Sequence, residues 1–310
     1  MAARIIVVGS LNVDFVLSLE RFPGSGETVV GSRFVTFPGG KGANQAYGAA
    51  KLGGQVMMVG QVGNDAHAAW LKQHLAAAGV DVTHVHADST VSTGVAVIGV
   101  ETTGQNRIVI VAGSNGTFRP EQLEPLRNLI TSSDILLLQL EIPLPTVTAA
   151  ARLARKAGAR VILDPAPARP LDNELLALAD YVTPNESELA TLTQTLPQAS
   201  LDRSEALRRA SQLRALGAEK VIVKMGAQGA LLVNAGAEHF WPAIPVTAVD
   251  TTAAGDAFNA AFAVALAGGK SEIEAGWFAT AAAACSVTRP GAQPSMPTAA
   301  EVTALLGQSR

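Results

Sequence analysis

Cysteine is almost absent: Cys285 is the only one in 310 residues. An intrachain disulfide is therefore excluded, and a reducing cytoplasm is the expected setting. Charge is sparse too. Charged residues make up 16% of the chain, the net charge is −3 and no long basic run occurs, which argues against a polycationic nucleic-acid face. No apolar run is long enough to span a bilayer. A secretory pattern is lacking as well, because Ile5–Val8 is too short for a signal core and Asn12 and Asp14 follow at once. Two sequons, at Asn115 and Asn185, then lose their glycosylation reading and need another explanation. No cysteine pair supports His84 and His86, so surface histidines are expected rather than a zinc cluster. A G-x-S-x-G nucleophile elbow is missing, and with it the usual frame for a Ser–His–Asp triad.

What the chain does have is a 48% hydrophobic content, enough for a large buried core. Short β-branched runs alternate with alanine-rich segments. Strands are expected at 4–8, 55–59, 135–140, 160–163, 181–183, 220–224 and 230–233, with helices at 43–52, 66–78, 145–157, 204–216, 256–267 and 273–287. Continuous apolar runs such as Ile135-Leu136-Leu137-Leu138 suit strands covered on both faces. The alternation predicts an α/β fold with a mostly parallel sheet between helices. Four strand-like pieces break the rhythm: 15–19 and 28–37 around a loop at 22–26, and 93–101 and 107–112 around the turn Thr102-Thr103-Gly104-Gln105. The second pair reads as an antiparallel hairpin. Together the four are expected to form a small separate sheet whose apolar face needs a cover; a substrate lid that also meets a partner subunit would supply one.

Ligands of open parallel sheets bind beyond the carboxyl ends of the strands. Polar residues recur there: Asn12 and Asp14, Glu141, Asn185 and Glu188, Gly226 and Gly229, then Asp250 and Asp256. The run Asp250-Thr251-Thr252-Ala253-Ala254-Gly255-Asp256-Ala257 opens into the apolar stretch 258–266. It reads as a helix start free of bulky side chains, open to an anion through its unpaired N–H groups. A carboxylate placed there suits a base that takes a proton from a hydroxyl. Taken alone, Asp256 fits an ordinary acid in a first turn better; the other motifs decide. Pro38-Gly39-Gly40-Lys41-Gly42-Ala43-Asn44 reads as a glycine turn into a helix or as a ligand loop. No Ser or Thr follows its lysine, so it is not a Walker A loop. Asn12, Asp14, Gly40, Lys41, Asn44 and Glu141 offer the acceptors and donors that a polyhydroxylated ligand needs. Paired carboxylates also allow glycoside hydrolysis. The anion-ready helix start and the loop Gly226-Ala227-Gln228-Gly229 favour phosphoryl transfer instead.

These segments resemble the signatures of the ribokinase-like (PfkB) carbohydrate kinase family. The first runs from Gly39 through Asn44-Gln45-Ala46 to Gly53 and Gly63, and the second from Asp250 through Ala263. Further matches begin at Gly9, Gln139, Asp164, Thr183 and Gly291, so the resemblance covers essentially the whole chain. It implies one ribokinase-like domain over residues 1–310, a Rossmann-like αβα sandwich with a β lid formed by about 14–38 and 92–112, and commonly a homodimer joined through the lids. The activity implied is ATP-dependent phosphorylation of a sugar, D-ribose at its 5-hydroxyl first, with 2-deoxyribose, fructose or a nucleoside as alternatives and a non-catalytic sugar sensor as a further one. Asp256 would be the base, and Ala253, Ala254 and Gly255 the anion hole. Asn12, Asp14, Gly40, Lys41, Asn44 and Glu141 would hold the sugar. Asn185, Glu188, Lys224, Gly226, Gly229, Gly255 and Thr280 would meet ATP, with Asn185 and Glu188 linked to Mg2+ through water. Asp250, Thr252, Ser286, Arg289, Gly291 and Ser295 would build a K+ site. Lys224, Met225 and Thr280 depart from the family's usual residues at their positions.

Overall fold

The computed structural model describes residues 4–198 and 200–308. Its large sheet has nine strands in the order β13-β12-β11-β10-β9-β8-β1-β4-β5. These are β1 Ile5–Val8, β4 Val56–Gly63, β5 Asp81–Asp88, β8 Ile135–Leu138, β9 Arg160–Leu163, β10 Tyr181–Val182, β11 Lys220–Lys224, β12 Gly229–Val233 and β13 Glu238–Pro242. Every pairing from β5 to β11 is parallel, whereas β12 and β13 pair antiparallel to their neighbours.

β1 displays why such strands read as unbroken apolar runs. Ile5 and Val7 point into one core and Ile6 and Val8 into the other, the period-two alternation of a strand covered on both faces. The first core is closed by α1 Lys41–Lys51, α2 Ala66–Ala77, α9 Ala254–Ala267, α10 Glu272–Ser286 and α11 Ala299–Gln308. On the other face lie α4 Leu126–Leu129, α5 Leu144–Ala157, α6 Asn173–Leu178, α7 Glu186–Leu192 and α8 Arg203–Ala215. A one-turn α3, Ser114–Thr117, precedes them.

The four irregular pieces form the second sheet, in the order β3-β2-β6-β7: β2 Asn12–Leu19, β3 Arg33–Gly39, β6 Gly94–Glu101 and β7 Asn106–Val111. The hairpin β6–β7 is antiparallel as expected, while β2 pairs parallel to β6. Asp14 lies opposite Ala96, which lies opposite Ile110, so one face carries Asp14, Ala96, Ile98, Ile108 and Ile110 together.

Some expectations need correction. The strand expected at 28–37 begins only at Arg33, because Gly31 and Ser32 precede it as turn-forming residues. β5 and β13 were not foreseen: Asp81–Asp88 mixes five polar residues with two valines in no clean alternation, and Glu238–Pro242 is short and ends in proline. His84 and His86, expected at the surface, are both half-buried. They are two apart on β5 and share a side of it, and the His86 ring packs 6.3 Å from Phe118.

Candidate active site

Chain order within the large sheet reverses beside β1, which leads outward to β4 and β5 on one side, while β8 to β11 extend the other. Such a switch point leaves a crevice at the carboxyl ends. Ser10, just after β1, donates from Oγ to Glu141 Oε2 at 2.5 Å across that crevice, and the Lys41 N–H donates to the same oxygen at 3.0 Å. Asp164 follows β9, Asn185 follows β10 and Lys224 ends β11. The N-termini of α1 and α9 meet them. Enclosed between these pieces and the small sheet is a cavity of about 1120 Å³.

Glycine makes the approach possible. Gly40 has φ 89° and caps α1; a Cβ there would lie 2.8 Å from the Asn12 N and 2.9 Å from the Ser10 carbonyl. That backbone conformation suits glycine best, and the contact pins α1 against the segment after β1. A Cβ on Gly39 would lie 2.1 Å from Asp14 Oδ2, so the Asp14 carboxylate rests against bare backbone. At α9 the cap is Ala253 with φ 58°, a left-handed conformation that costs a non-glycine residue about 1–2 kcal/mol.

Asp256, on the first turn of α9, is 4% exposed. Its Oδ2 accepts from Asn44 Nδ2 and its Oδ1 from Gln45 Nε2, both at 3.0 Å. Gln45 Nε2 also donates to Asp164 Oδ2 at 2.9 Å, and Lys224 Nζ donates to Asp164 Oδ1 at 2.9 Å. Gln139 and Gln293 hold the two amides from behind, donating to Gln45 Oε1 at 2.6 Å and to Asn44 Oδ1 at 3.2 Å. Burial pushes Asp256 up to about 6 against the pull of Lys41, with Asp164 adding to the rise and the two amides opposing it. Burial also raises Asp14, to about 7, helped by Glu141 and Asp256 and opposed by Lys41. For Lys41 burial acts downward, but Asp256, Glu141, Asp164 and Glu188 outweigh it, so the ammonium stays charged.

The structure brings together most of the residues singled out from sequence. Asn12, Asp14, Gly40, Lys41, Asn44 and Glu141 line one part of the cavity. Ala253, Ala254, Gly255 and Asp256 line its floor, and Asn185, Glu188, Lys224, Gly226, Gly229 and Thr280 line the remainder. Asn185 and Glu188 cap α7 reciprocally, each side chain accepting from the other's N–H at 2.8 and 2.7 Å. Thr280 is buried with its hydroxyl unpaired. Among the six residues of the implied K+ site only Thr252 lines the cavity. Asp250 ties two loops together there, accepting from the Thr252 hydroxyl at 2.6 Å and the Gly291 N–H at 2.7 Å. Arg289 is paired with Glu301 at 2.8 Å, and the Ser286 and Ser295 hydroxyls donate to the carbonyls of Ala283 and Ala292.

Gln45, Asp164, Ser10 and Asn115 were given no role from the sequence. The first three fall inside matched motifs, which was the available signal. Asn115 was visible only as a sequon. It is buried, accepts from the Leu11 N–H at 2.9 Å and donates to Asn12 Oδ1 at 2.7 Å, so it orients Asn12. Asn185, the other sequon residue, is the α7 cap.

Comparison with known proteins agrees with this geometry. The family model described as pfkB family carbohydrate kinase matches residues 2–299. A ribokinase of Haemophilus influenzae is 41% identical over 306 residues, covering 99% of both chains. A deoxyribokinase of Salmonella typhi is 38% identical over 295 residues, covering 94% of this chain and 95% of the other. The structure of Arabidopsis thaliana ribokinase complexed with ribose and ATP superposes with a TM-score of 0.90 at 40% identity, covering 99% of each chain. The chain belongs to the pfkB family of carbohydrate kinases.

Proposed function

We propose that this chain transfers the γ-phosphoryl group of ATP to the 5-hydroxyl of D-ribose, giving D-ribose 5-phosphate and ADP. The observation that carries this reading is Asp256. It is a buried carboxylate held by two amides on the first turn of a helix whose opening residues are small. Each of its oxygens keeps a lone pair for a hydroxyl proton, and a value near 6 leaves it ionised yet basic at neutral pH. The sugar hydroxyl donates to Asp256 as its oxygen attacks the γ-phosphorus. The bond to ADP breaks, and the charge spread over the three phosphoryl oxygens meets the N–H groups at Ala253, Ala254 and Gly255. Asp14, Asn12, Gly40, Lys41, Asn44 and Glu141 hold the sugar. The apolar face of the small sheet, with Ala96, Ile98, Ile108 and Ile110 on the cavity, acts as its lid. The nucleotide lies along Asn185, Gly226, Gly229 and Thr280.

The donor set fits magnesium carried in with the nucleotide. Among the described residues no cluster of three or more His, Cys, Asp or Glu forms a dedicated cage, and magnesium favours one or two carboxylates plus phosphate and water. Glu188 and Asn185 would hold it through water, and the ion supplies neutralisation of phosphate charge. The Asp250 carboxylate, held below the usual range because hydrogen bonds from Thr252 and Gly291 outweigh its burial, suits a monovalent cation beside α9. K+ there would order the loop rather than touch phosphate. Exposed Phe34, Val109 and Val111 on the small sheet support a homodimer through that sheet. ATP and a reducing medium make the cytoplasm the fitting compartment.

The test is ADP release with ATP, magnesium and potassium across ribose, 2-deoxyribose, fructose and adenosine, on the native chain and on Asp256→Asn. Strong preference for ribose and a loss of about 10³-fold in kcat in the variant, with ribose binding kept in calorimetry, are expected. Near-normal turnover by Asp256→Asn would remove the base from this residue.

A further inference from the structure

We infer that Gln293, backed by His74, is a positioning residue for the base, fixing the Asn44 amide that holds Asp256; this rests on the phosphotransfer reading above. An amide side chain has a donor end and an acceptor end of nearly equal shape. Its surroundings decide which end faces a carboxylate. Asn44 gives Nδ2 to Asp256 Oδ2 at 3.0 Å, and its own Oδ1 accepts from Gln293 Nε2 at 3.2 Å. While Asp256 is ionised it selects the donor end by itself. Once it has taken the sugar's proton it can donate as well as accept, and that selection is gone. Gln293 keeps Asn44 in one orientation through both states.

Gln293 faces the same ambiguity, and His74 resolves it. Gln293 is buried, and neither its Oε1 nor Nε2 of His74 has a well-formed hydrogen bond among the described residues, although both atoms are shut away from water. Burial pushes His74 down and the Gln293 side chain opposes it, which places the two in reach of each other. The ring is therefore neutral at pH 7 and carries one N–H. Buried polar atoms rarely stay unpaired, and a donor beside an acceptor completes both. With Oε1 taken by the imidazole, Gln293 has only Nε2 to offer Asn44. His74, Gln293 and Asn44 then all donate in one direction, toward the carboxylate, and aligned bonds strengthen one another. No proton passes along this chain; it carries orientation.

The scaffold suits that use. His74 lies on α2 with its ring stacked on Tyr47 of α1, centroids 5.0 Å apart and planes 9° off parallel. Gln293 lies in the segment after α10, which presses on α1 at two levels. The second contact is Met296, whose Sδ would stand 3.0 Å from a Cβ on Gly48, one turn beyond Asn44. The Gly291 N–H ties the same segment to Asp250, just ahead of α9. It thus joins the helix that bears the base to the helix that steadies it.

A buried amide also serves stability alone, so the test asks whether Gln293 acts through Asn44. Gln293→Met keeps the bulk and removes both polar ends; kcat for the sugar should fall about tenfold, the factor one hydrogen bond of ordinary strength carries. In an Asn44→Ala background the same substitution should change kcat by less than about twofold. His74→Phe keeps the stack on Tyr47 and should show part of the loss. His74→Gln, whose amide reaches the Nε2 position, should restore native turnover. Equal losses with and without Asn44, or His74→Gln no better than His74→Phe, would overturn the proposal. Should Gln293→Met fold poorly, the two His74 variants are read alone. Exchange of the Asn44 side-chain amide protons, followed by NMR without sugar or nucleotide, should quicken about tenfold in Gln293→Met and measurably in His74→Phe. That measurement needs no turnover. Unchanged exchange removes the hold on Asn44, and quickened exchange upholds it even if the native chain leaves ribose untouched and the kinase reading itself fails.

Discussion

Asp14 and Asp256 share one cavity with opposite consequences for activity and stability. Both carboxylates are raised, to about 7 and about 6, whereas an unfolded aspartate titrates near about 3.9. Between those values the folded chain binds more protons than the unfolded one, so stability falls as pH rises from about 4 to about 7. With Asp256 proposed as the base and Asp14 as a sugar ligand, both are expected to act as carboxylates, so kcat/KM for the sugar should rise with pH through about 6 to 7 and then level. Replacing Asp14 by Asn removes the buried charge. The expected outcome is weaker ribose binding by calorimetry together with a higher melting temperature of the sugar-free protein at pH 8, the gain vanishing near pH 4. A melting temperature at pH 8 that stays the same or drops would contradict the burial argument. Asn12 has a comparable logic without charge: Asn115 takes its carbonyl oxygen, leaving the amide N–H groups for a sugar hydroxyl.

Single elements carry tight packing that side-chain type alone does not announce. α10 crosses β13 where Gly276 faces Trp241, a fully buried side chain whose indole N–H donates to the Ile273 carbonyl at 3.0 Å. A Cβ on Gly276 would come within 2.0 Å of the Trp241 ring. Overpacking a rigid ring of this kind costs about 1–3 kcal/mol or more. Gly276→Ala should therefore lower the denaturation midpoint clearly in a urea titration, without moving the ribose KM of the protein that remains folded. Little change in the midpoint would mean that α10 slides freely over β13. At α9, by contrast, strain sits on the working end: Ala253 adopts φ 58°, and the helix starts with the turn that faces the cavity.

Across the whole molecule, the small sheet is apolar on both faces. Ile108 and Ile110 look into the cavity, while Val109 and Val111 alternate with them and are 64% and 54% exposed. Exposed apolar surface of this kind marks an interface. With the dimer proposed above, Val109→Asp is expected to halve the mass in sedimentation and to weaken ribose binding through a looser lid. A native chain that sediments as a monomer at micromolar concentration would leave this face without that partner.

The sequence by itself determined much of this protein. Strand–helix alternation, the unbroken run at Ile135–Leu138 and the small residues before Asp256 encode local geometry, and local geometry follows from backbone sterics, side-chain volume and burial period. Polar residues past the strand ends gave the candidate site because parallel sheets place those ends on one edge. Only the tertiary structure decided what depends on contacts between distant segments. Gln45 links Asp164 to Asp256 across separations of 119 and 211 residues, and nothing in the spacing of these residues reveals it. Asn115 looked like a sequon until Leu11 and Asn12 were found against it. β5 and β13 lack a period of their own and are strands because β4 and β12 offer them partners. The value of about 7 at Asp14 is likewise tertiary, since burial and the nearness of Glu141 and Asp256 exist only once the chain has folded.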